Sequence, residues 1–170
     1  MRGRPVAVSL GLVVIAVVVQ TTVFGDGRLQ PLGASPMLVL VVVMACVLHL
    51  EEEPALLLGF TAGLLLDLLG GSPLGLWAMV HLVVAYLTLR LRHRADDGAV
   101  VVAFGVFAMA VLAQSLFLVA STLFGQRLIV SDGLVKQLIL PAIYSVVIAP
   151  VVFPIVRWLL GDRTVRTWLR

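Results

Sequence analysis

Apolar residues occur in six long runs along this chain, and each run is separated from the next by charged, glycine-rich or proline-containing turns. Runs of this kind approach the roughly 20 residues that a helix needs to cross a bilayer core. The pattern therefore predicts an all-α fold, a polytopic membrane helix bundle that forms one integral membrane domain over residues 1–170. The predicted transmembrane helices cover approximately residues 5–24, 30–50, 54–69, 74–91, 99–124 and 134–160.

The composition of the chain favours the same conclusion. Of its 170 residues, 61% are apolar and 12% are charged, whereas soluble domains average about 45–50% and about 25%. These values exclude an ordinary soluble enzyme, a disordered tail and a nucleic-acid-binding module. The net charge of +3 does not indicate nucleic acid as a partner, because most basic residues flank apolar runs. Basic residues in that position set topology and contact anionic lipid headgroups.

The distribution of basic residues predicts the orientation of the bundle. With six spans both termini lie on one side of the membrane, and nine of the 12 basic residues fall on that side. The opposite side holds only Arg28, Arg127 and Lys136. Since cytoplasmic loops carry the excess of Lys and Arg, both termini are predicted to be cytoplasmic.

A stripe of small residues marks the third predicted helix. At 100° per residue, Gly59, Gly63, Asp67 and Gly70 fall within an arc of about 80°. Glycines four residues apart allow another helix to approach closely, so this face is predicted to pack against protein. Asp67 has two open interpretations. It is either an ionisable functional group inside the bundle or a cap on the turn that follows.

The turn after this helix combines the strongest helix-breaking residues in one place, over residues 70–75. Ser72, Pro73 and Gly75 are expected to form the turn, with Ser72 as an N-cap of the fourth helix. A serine nucleophile with His81 as its base is rejected, because Leu74 stands where the nucleophile motif needs glycine. No other catalytic, cofactor-binding or metal-binding group is predicted.

Two further polar residues lie inside predicted spans. His81 is expected to hydrogen-bond a carbonyl of another helix rather than to act as a ligand or proton carrier. Gln114 shares a face of the fifth helix with small residues and is predicted to be the hydrogen-bonding member of a packing seam. The three histidines are too far apart in sequence to predict a metal site.

Residues 59–78, GFTAGLLLDLLGGSPLGLWA, carry a recognisable motif. In a chain with six predicted spans it resembles the rod shape-determining protein MreD family. Five residues occupy the positions of the family motif: Gly59, Gly63, Asp67, Pro73 and Gly75. The order of features elsewhere, from the basic start to the proline-rich last helix, is also similar to the family over nearly the whole chain.

The resemblance implies a component of the bacterial machinery that elongates the cell wall, in the inner membrane. It implies a bitopic MreC-like protein as partner, and through it MreB-like filaments and a RodA-type glycosyltransferase with its transpeptidase. It also implies a fold similar to the substrate-binding subunits of energy-coupling-factor transporters. A solute-binding subunit of a vitamin-type transporter is therefore the alternative. Its candidate polar groups are scattered over two helices: Gln114, Lys136, Gln137, Tyr144 and Ser145.

Overall fold

The computed structural model describes residues 3–24, 34–70, 73–93, 98–123 and 134–161. These ranges contain six α-helices and no strand, so the predicted all-α bundle is confirmed. The helices are α1 (Gly3–Val23), α2 (Leu38–Val47), α3 (Glu52–Gly70), α4 (Leu76–Arg90), α5 (Ala99–Leu123) and α6 (Leu134–Leu160).

Four stretches of helix are long and apolar enough to cross a membrane: Arg4–Val23, Glu52–Gly70, Ala99–Leu123 and Leu138–Leu160. The other two helices are shorter, with 10 residues in α2 and 15 in α4. At the rise of an α-helix, α4 is about 22 Å long, less than the core thickness of about 30 Å. That α2 and α4 also span the bilayer stays a prediction.

The second helix is much shorter than the predicted range of 30–50. Residues 34–37 are not helical, and α2 begins only at Leu38. Pro36 accounts for the late start, because proline disfavours helical geometry in the residue before it and lacks an N–H. Met37 is not helical either, with φ of −85° and ψ of 67°.

The remaining helix ends agree with the prediction within a few residues. The largest shifts are at the N-termini: α1 and α3 start two residues earlier than predicted, at Gly3 and Glu52, and α4 starts two residues later, at Leu76. Glu52 and Glu53 lie in the first turn of α3, where carboxylates interact favourably with the helix dipole. The last helix, α6, runs through all three of its prolines without a break in the helix assignment.

The short helix α2 is the centre of the bundle. Every side chain from Val39 to Val47 is buried, and α2 contacts each of the other five helices. A helix that is apolar all round is typical of a fully enclosed position. Cys46 is among these buried residues, as a free thiol.

One hydrogen bond joins the turn after α2 to the end of α4. The guanidinium of Arg92 donates to the carbonyl oxygen of Leu50 at 2.8 Å. This contact places the Glu51–Glu53 turn and the basic end of α4 at the same end of the bundle, which is the arrangement that the six-span topology requires. The side of the membrane that this end faces stays a prediction.

Candidate functional site

Asp67, the acidic residue within the apolar part of α3, caps the next helix. It is 2% exposed, and its carboxylate accepts three backbone N–H groups at the start of α4. Oδ2 accepts from Gly75 at 2.9 Å and from Ala78 at 3.2 Å, and Oδ1 accepts from Trp77 at 3.1 Å. The first N–H groups of a helix have no partner within the helix and carry partial positive charge. The structure thus assigns Asp67 the capping role that was one of its two predicted interpretations.

Gly75 provides the backbone conformation that brings these donors to Asp67. It is the N-cap of α4 and has φ of +96°, in the left-handed region that disfavours side chains. Pro73, two residues before Gly75, is half-buried, and its carbonyl accepts the N–H of Leu76 at 3.3 Å. Ser72, the predicted N-cap, lies outside the described residues.

The structure places Gly59 and Gly63 directly against α4. A Cβ at Gly63 would overlap the carbonyl of Trp77 and stand 2.5 Å from the Cα of Ala78. At Gly59 it would stand 2.7 Å from the Cβ of Ala85 and 2.9 Å from a backbone carbonyl oxygen. Real Cβ atoms do not approach other atoms this closely, so both positions require glycine for the observed helix separation.

Gly70 does not share this packed face, contrary to the predicted stripe. It is exposed, and a Cβ there would meet nothing within 4 Å. The reason is the level at which α4 begins. Its first turn lies beside Asp67, so no described helix stands opposite the last residue of α3.

His81 hydrogen-bonds a carbonyl, but one of its own helix rather than of a neighbour. It is 1% exposed, and Nδ1 lies 3.0 Å from the carbonyl oxygen of Trp77. Because a carbonyl can only accept, Nδ1 carries the proton. In the neutral ring Nε2 is then unprotonated and can only accept a hydrogen bond. Nε2 is buried and has no hydrogen-bond partner in the described part of the chain.

Trp77 connects this region to the fifth helix. Its ring stacks on Phe117 of α5, with centroids 4.3 Å apart and planes 16° from parallel, and it meets the His81 ring edge-on at 5.7 Å. The sequence analysis did not single out Phe117. It lies three residues after Gln114 and therefore near the same face of α5, which was the only signal for it in the sequence.

Gln114 itself is half-buried. Among the residues that the structure describes, it has no hydrogen-bond partner. The seam on α5 is instead formed by apolar side chains, with Val106, Ala110 and Ala113 at 0% exposure. The predicted hydrogen-bonding role of Gln114 has no counterpart in these contacts.

The start of α2 is held by two side chains from other helices, which the sequence analysis did not predict. Ser145 Oγ of α6 accepts the N–H of Met37 at 3.0 Å, and Gln20 Oε1 of α1 accepts the N–H of Val39 at 2.8 Å. Ser145 is fully buried and also donates to the carbonyl of Pro141 at 2.6 Å. The sequence contained only indirect evidence for these two bonds. Because α2 has no capping side chain of its own, its first N–H groups need acceptors from elsewhere.

The described residues contain no group of three or more His, Cys, Asp or Glu side chains arranged to hold a metal ion. Comparison with protein families gives a clear result, since the model for the rod shape-determining protein MreD matches residues 4–159. The chain belongs to the MreD family. No curated protein and no solved structure matched it.

Membership of the MreD family identifies a membrane protein that determines rod shape. The match runs from the start of α1 almost to the end of α6, so the whole bundle is the MreD unit. MreD is a family of shape-determining membrane proteins and not a known enzyme family. The four long apolar helices agree with a membrane location.

These contacts explain the structural role of the motif in residues 59–78. Its glycines at 59, 63 and 75 and its aspartate set the geometry of a single α3–α4 hairpin. Its aspartate, Asp67, is hydrogen-bonded to backbone N–H groups at the start of α4. The described contacts of these motif residues therefore hold α3 against α4.

Proposed function

We propose that this chain is a scaffold or regulatory subunit of the bacterial cell-wall elongation complex in the inner membrane. It holds a bitopic MreC-like protein, and through it is linked to MreB-like filaments and to a RodA-type glycosyltransferase with its transpeptidase. In this way it takes part in lateral peptidoglycan synthesis. The family match over residues 4–159 supports this function most strongly.

The contacts inside the bundle support a role through association. Asp67 and Ser145 are buried and hydrogen-bonded to backbone groups of the same chain. Polar groups used in this way stabilise the fold and are not directed at a substrate. What the protein offers to the rest of the cell is consequently the outer faces of its helices and its loops.

The orientation is part of the proposal. Both termini lie in the cytoplasm, because nine of 12 basic residues fall on their side in the six-span arrangement. The Glu51–Glu53 turn and Arg92, which the structure brings to one end, then face the cytoplasm together. The opposite end, with the start of α4, faces the cell exterior.

Affinity purification from detergent-solubilised membranes tests the proposal. The tagged chain is expressed with a tagged MreC-like protein, and each is used to recover the other. We expect reciprocal recovery, and we expect depletion of the chain in a rod-shaped host to give rounded cells. The control is the Gly63→Leu variant, in which the added side chain prevents the close packing of α3 against α4. This variant should neither recover the MreC-like protein nor restore rod shape in the depleted host.

A folded wild-type chain that recovers no MreC-like protein in either direction would contradict the proposed association. Unchanged rod shape on depletion would contradict the cellular role. Expression level and monodispersity in detergent are measured first, so that a misfolded sample is not counted as a negative result.

A further inference from the structure

Two residues of opposite charge meet at the end of the bundle where α3 begins and α4 ends. Glu52 lies in the first turn of α3, and Arg90 is the last residue of α4. Both side chains are exposed, and the charge of Glu52 acts on the Arg90 guanidinium. Although both belong to the described part of the chain, they form no ion pair with each other. The surface therefore presents a cation and an anion side by side.

The packing of α3 against α4 explains why these two charges are neighbours. The helices are antiparallel, with Gly59 against Ala85 and Gly63 against Ala78. About two helical turns lead back from Gly59 to Glu52, and roughly one to two turns lead forward from Ala85 to the end of α4. The close glycine contacts thus hold the two charges at a similar height.

Tyr86, one turn before Arg90, positions the guanidinium. The central carbon of the guanidinium lies 5.0 Å from the centroid of the tyrosine ring, a cation–π contact, and the tyrosine hydroxyl interacts with it as well. A guanidinium has several N–H groups in its plane, so donors remain for an anionic oxygen at the surface. Arg92, in contrast, donates to the carbonyl of Leu50.

An exposed apolar surface continues from this charged pair along both helices. On α4, Tyr86 is 42%, Val83 40% and Met79 65% exposed, and their spacing places them on one face with Arg90. On α3, Phe60 is 42% exposed. The distance along the axis from Arg90 to Met79 is about 16 Å, close to half of the roughly 30 Å hydrocarbon core. The surface is therefore about as deep as one lipid leaflet.

The balance of charge around the pair indicates which headgroup fits. At this end the described residues of the hairpin include three exposed carboxylates, Glu51–Glu53, and the two guanidinium groups of Arg90 and Arg92. A headgroup with only negative charge is attracted by Arg90 but repelled by the carboxylates. A headgroup with a phosphate and an ammonium group satisfies both signs at once.

We propose that this surface binds an aminophospholipid of the phosphatidylethanolamine type. The phosphate accepts hydrogen bonds from Arg90, the ammonium group donates to Glu52, and an acyl chain lies along Val83 and Met79. Phosphatidylglycerol has no cation for Glu52, and the quaternary ammonium of phosphatidylcholine has no N–H to donate. The residues that define this lipid site are Glu52, Phe60, Met79, Val83, Tyr86 and Arg90.

Native mass spectrometry of the purified full-length chain tests the lipid preference. The chain in detergent is mixed with equal amounts of phosphatidylethanolamine, phosphatidylglycerol and phosphatidylcholine that have identical acyl chains. We expect adducts with phosphatidylethanolamine to exceed each of the others by about five-fold, the effect of one exposed charge pair. Equal adducts of all three lipids, or an excess of phosphatidylglycerol, would overturn the proposal.

Two variants assign the two charges to the two parts of the headgroup. Glu52→Gln should abolish the preference for phosphatidylethanolamine over phosphatidylcholine. Arg90→Gln should weaken the binding of all three lipids by about five-fold, because the phosphate is common to them. The matched control is Arg4→Gln, at an exposed arginine of α1, a helix without described contacts to α4. It should leave the adducts unchanged.

An equal loss of adducts in Arg4→Gln and Arg90→Gln would show that only general positive charge matters, and it would overturn the site. An unchanged lipid preference in Glu52→Gln would overturn the role of the carboxylate. All three substitutions are at exposed positions, so thermal unfolding in lipid-free detergent should be the same as for the wild type. This measurement shows that a change in adducts does not come from misfolding.

Two further measurements distinguish a lipid from a soluble phosphate compound. Soluble glycerophosphoethanolamine in large excess should not displace the lipid, because it lacks the acyl chains that contact α4. Complete displacement would overturn the assignment to a lipid. Phosphatidylethanolamine with a photoreactive acyl chain should crosslink to Val83, Met79 or Phe60. Crosslinks confined to α5 and α6 would place the lipid elsewhere and overturn the inference, whatever the result of the co-purification with the MreC-like protein.

Discussion

The carboxylate of Asp67 accepts the backbone N–H of Gly75 at 2.9 Å, and this bond ties the last turns of α3 to the N-cap of α4. Two more N–H groups of α4, those of Trp77 and Ala78, converge on the same carboxylate. One side chain thus satisfies donors that would otherwise be unpaired inside a membrane bundle.

Two replacements of Asp67 should distinguish the contribution of its capping hydrogen bonds from that of side-chain packing. Asp67→Asn keeps an acceptor oxygen and should lower the free energy of unfolding by about 1 kcal/mol. Asp67→Leu leaves three N–H groups unpaired and should cost about 3 kcal/mol or more. Unfolding in detergent micelles measures both, with Leu68→Ala, at a site 61% exposed, as the neutral control. Equal stability of the Asn and Leu variants would remove the capping role.

Addition of a single methyl group to a glycine should have opposite consequences on α3 and α5. Gly63→Ala places a Cβ against the backbone of α4 and should destabilise the bundle by about 1–3 kcal/mol, because the two helices must separate. Gly105→Ala meets nothing within 4 Å and should be neutral or stabilise by about 0.5–1 kcal/mol. The midpoint temperature of thermal unfolding in detergent is measured for both variants and for the wild type. A similar loss at both sites would contradict the assigned contact of Gly63.

The imidazole of His81 should be the tautomer with the proton on Nδ1. The carbonyl of Trp77 accepts from Nδ1, and the buried Nε2 has no hydrogen-bond partner among the residues that the structure describes. Nitrogen-15 chemical shifts of the labelled ring distinguish a protonated from an unprotonated nitrogen directly. Signals of the half-buried His49 and the exposed His93 serve as internal references. A proton found on Nε2 at neutral pH would show that the ring is oriented otherwise.

Loss of the Ser145 hydroxyl should weaken the start of α2. Ser145→Ala leaves the N–H of Met37 without its acceptor in the interior, at a cost of about 1–2 kcal/mol. The same substitution at Ser115 removes only a bond to a carbonyl of its own helix and should change stability by less than about 0.5 kcal/mol. Chemical unfolding of both variants in detergent provides the comparison. If both variants lose the same free energy of unfolding, the hydrogen bond between Ser145 and Met37 does not stabilise the start of α2.

The topology can be tested by labelling single cysteines in a Cys46→Ala background. With both termini in the cytoplasm, Asp96→Cys should react with a membrane-impermeant maleimide only after the membrane is permeabilised. Asp26→Cys, on the opposite side of the predicted topology, should react in intact spheroplasts. Labelling of position 96 from outside would require a different number of spans.

Features that depend on spacing along the chain were accessible from the sequence. The six apolar segments follow from the length that a helix needs in a bilayer, and the Gly59–Gly63 face follows from the helical period. The motif around Asp67 was sufficient to indicate the MreD family, which the match over residues 4–159 shows. The sequence analysis also proposed capping as one role of Asp67, since the carboxylate is only a turn from the end of its helix.

Other features depend on which helices become neighbours, and the tertiary structure alone decided them. The N–H of Met37 finds its acceptor on Ser145, 108 residues away, so the cap on the start of α2 could not be inferred from the residues of α2 itself. Gly70 shares the period of the glycine stripe but has no helix opposite it, because α4 begins beside Asp67. Periodicity assigns a residue to a face of its helix, whereas the contacts of that face depend on the relative height and order of the packed helices.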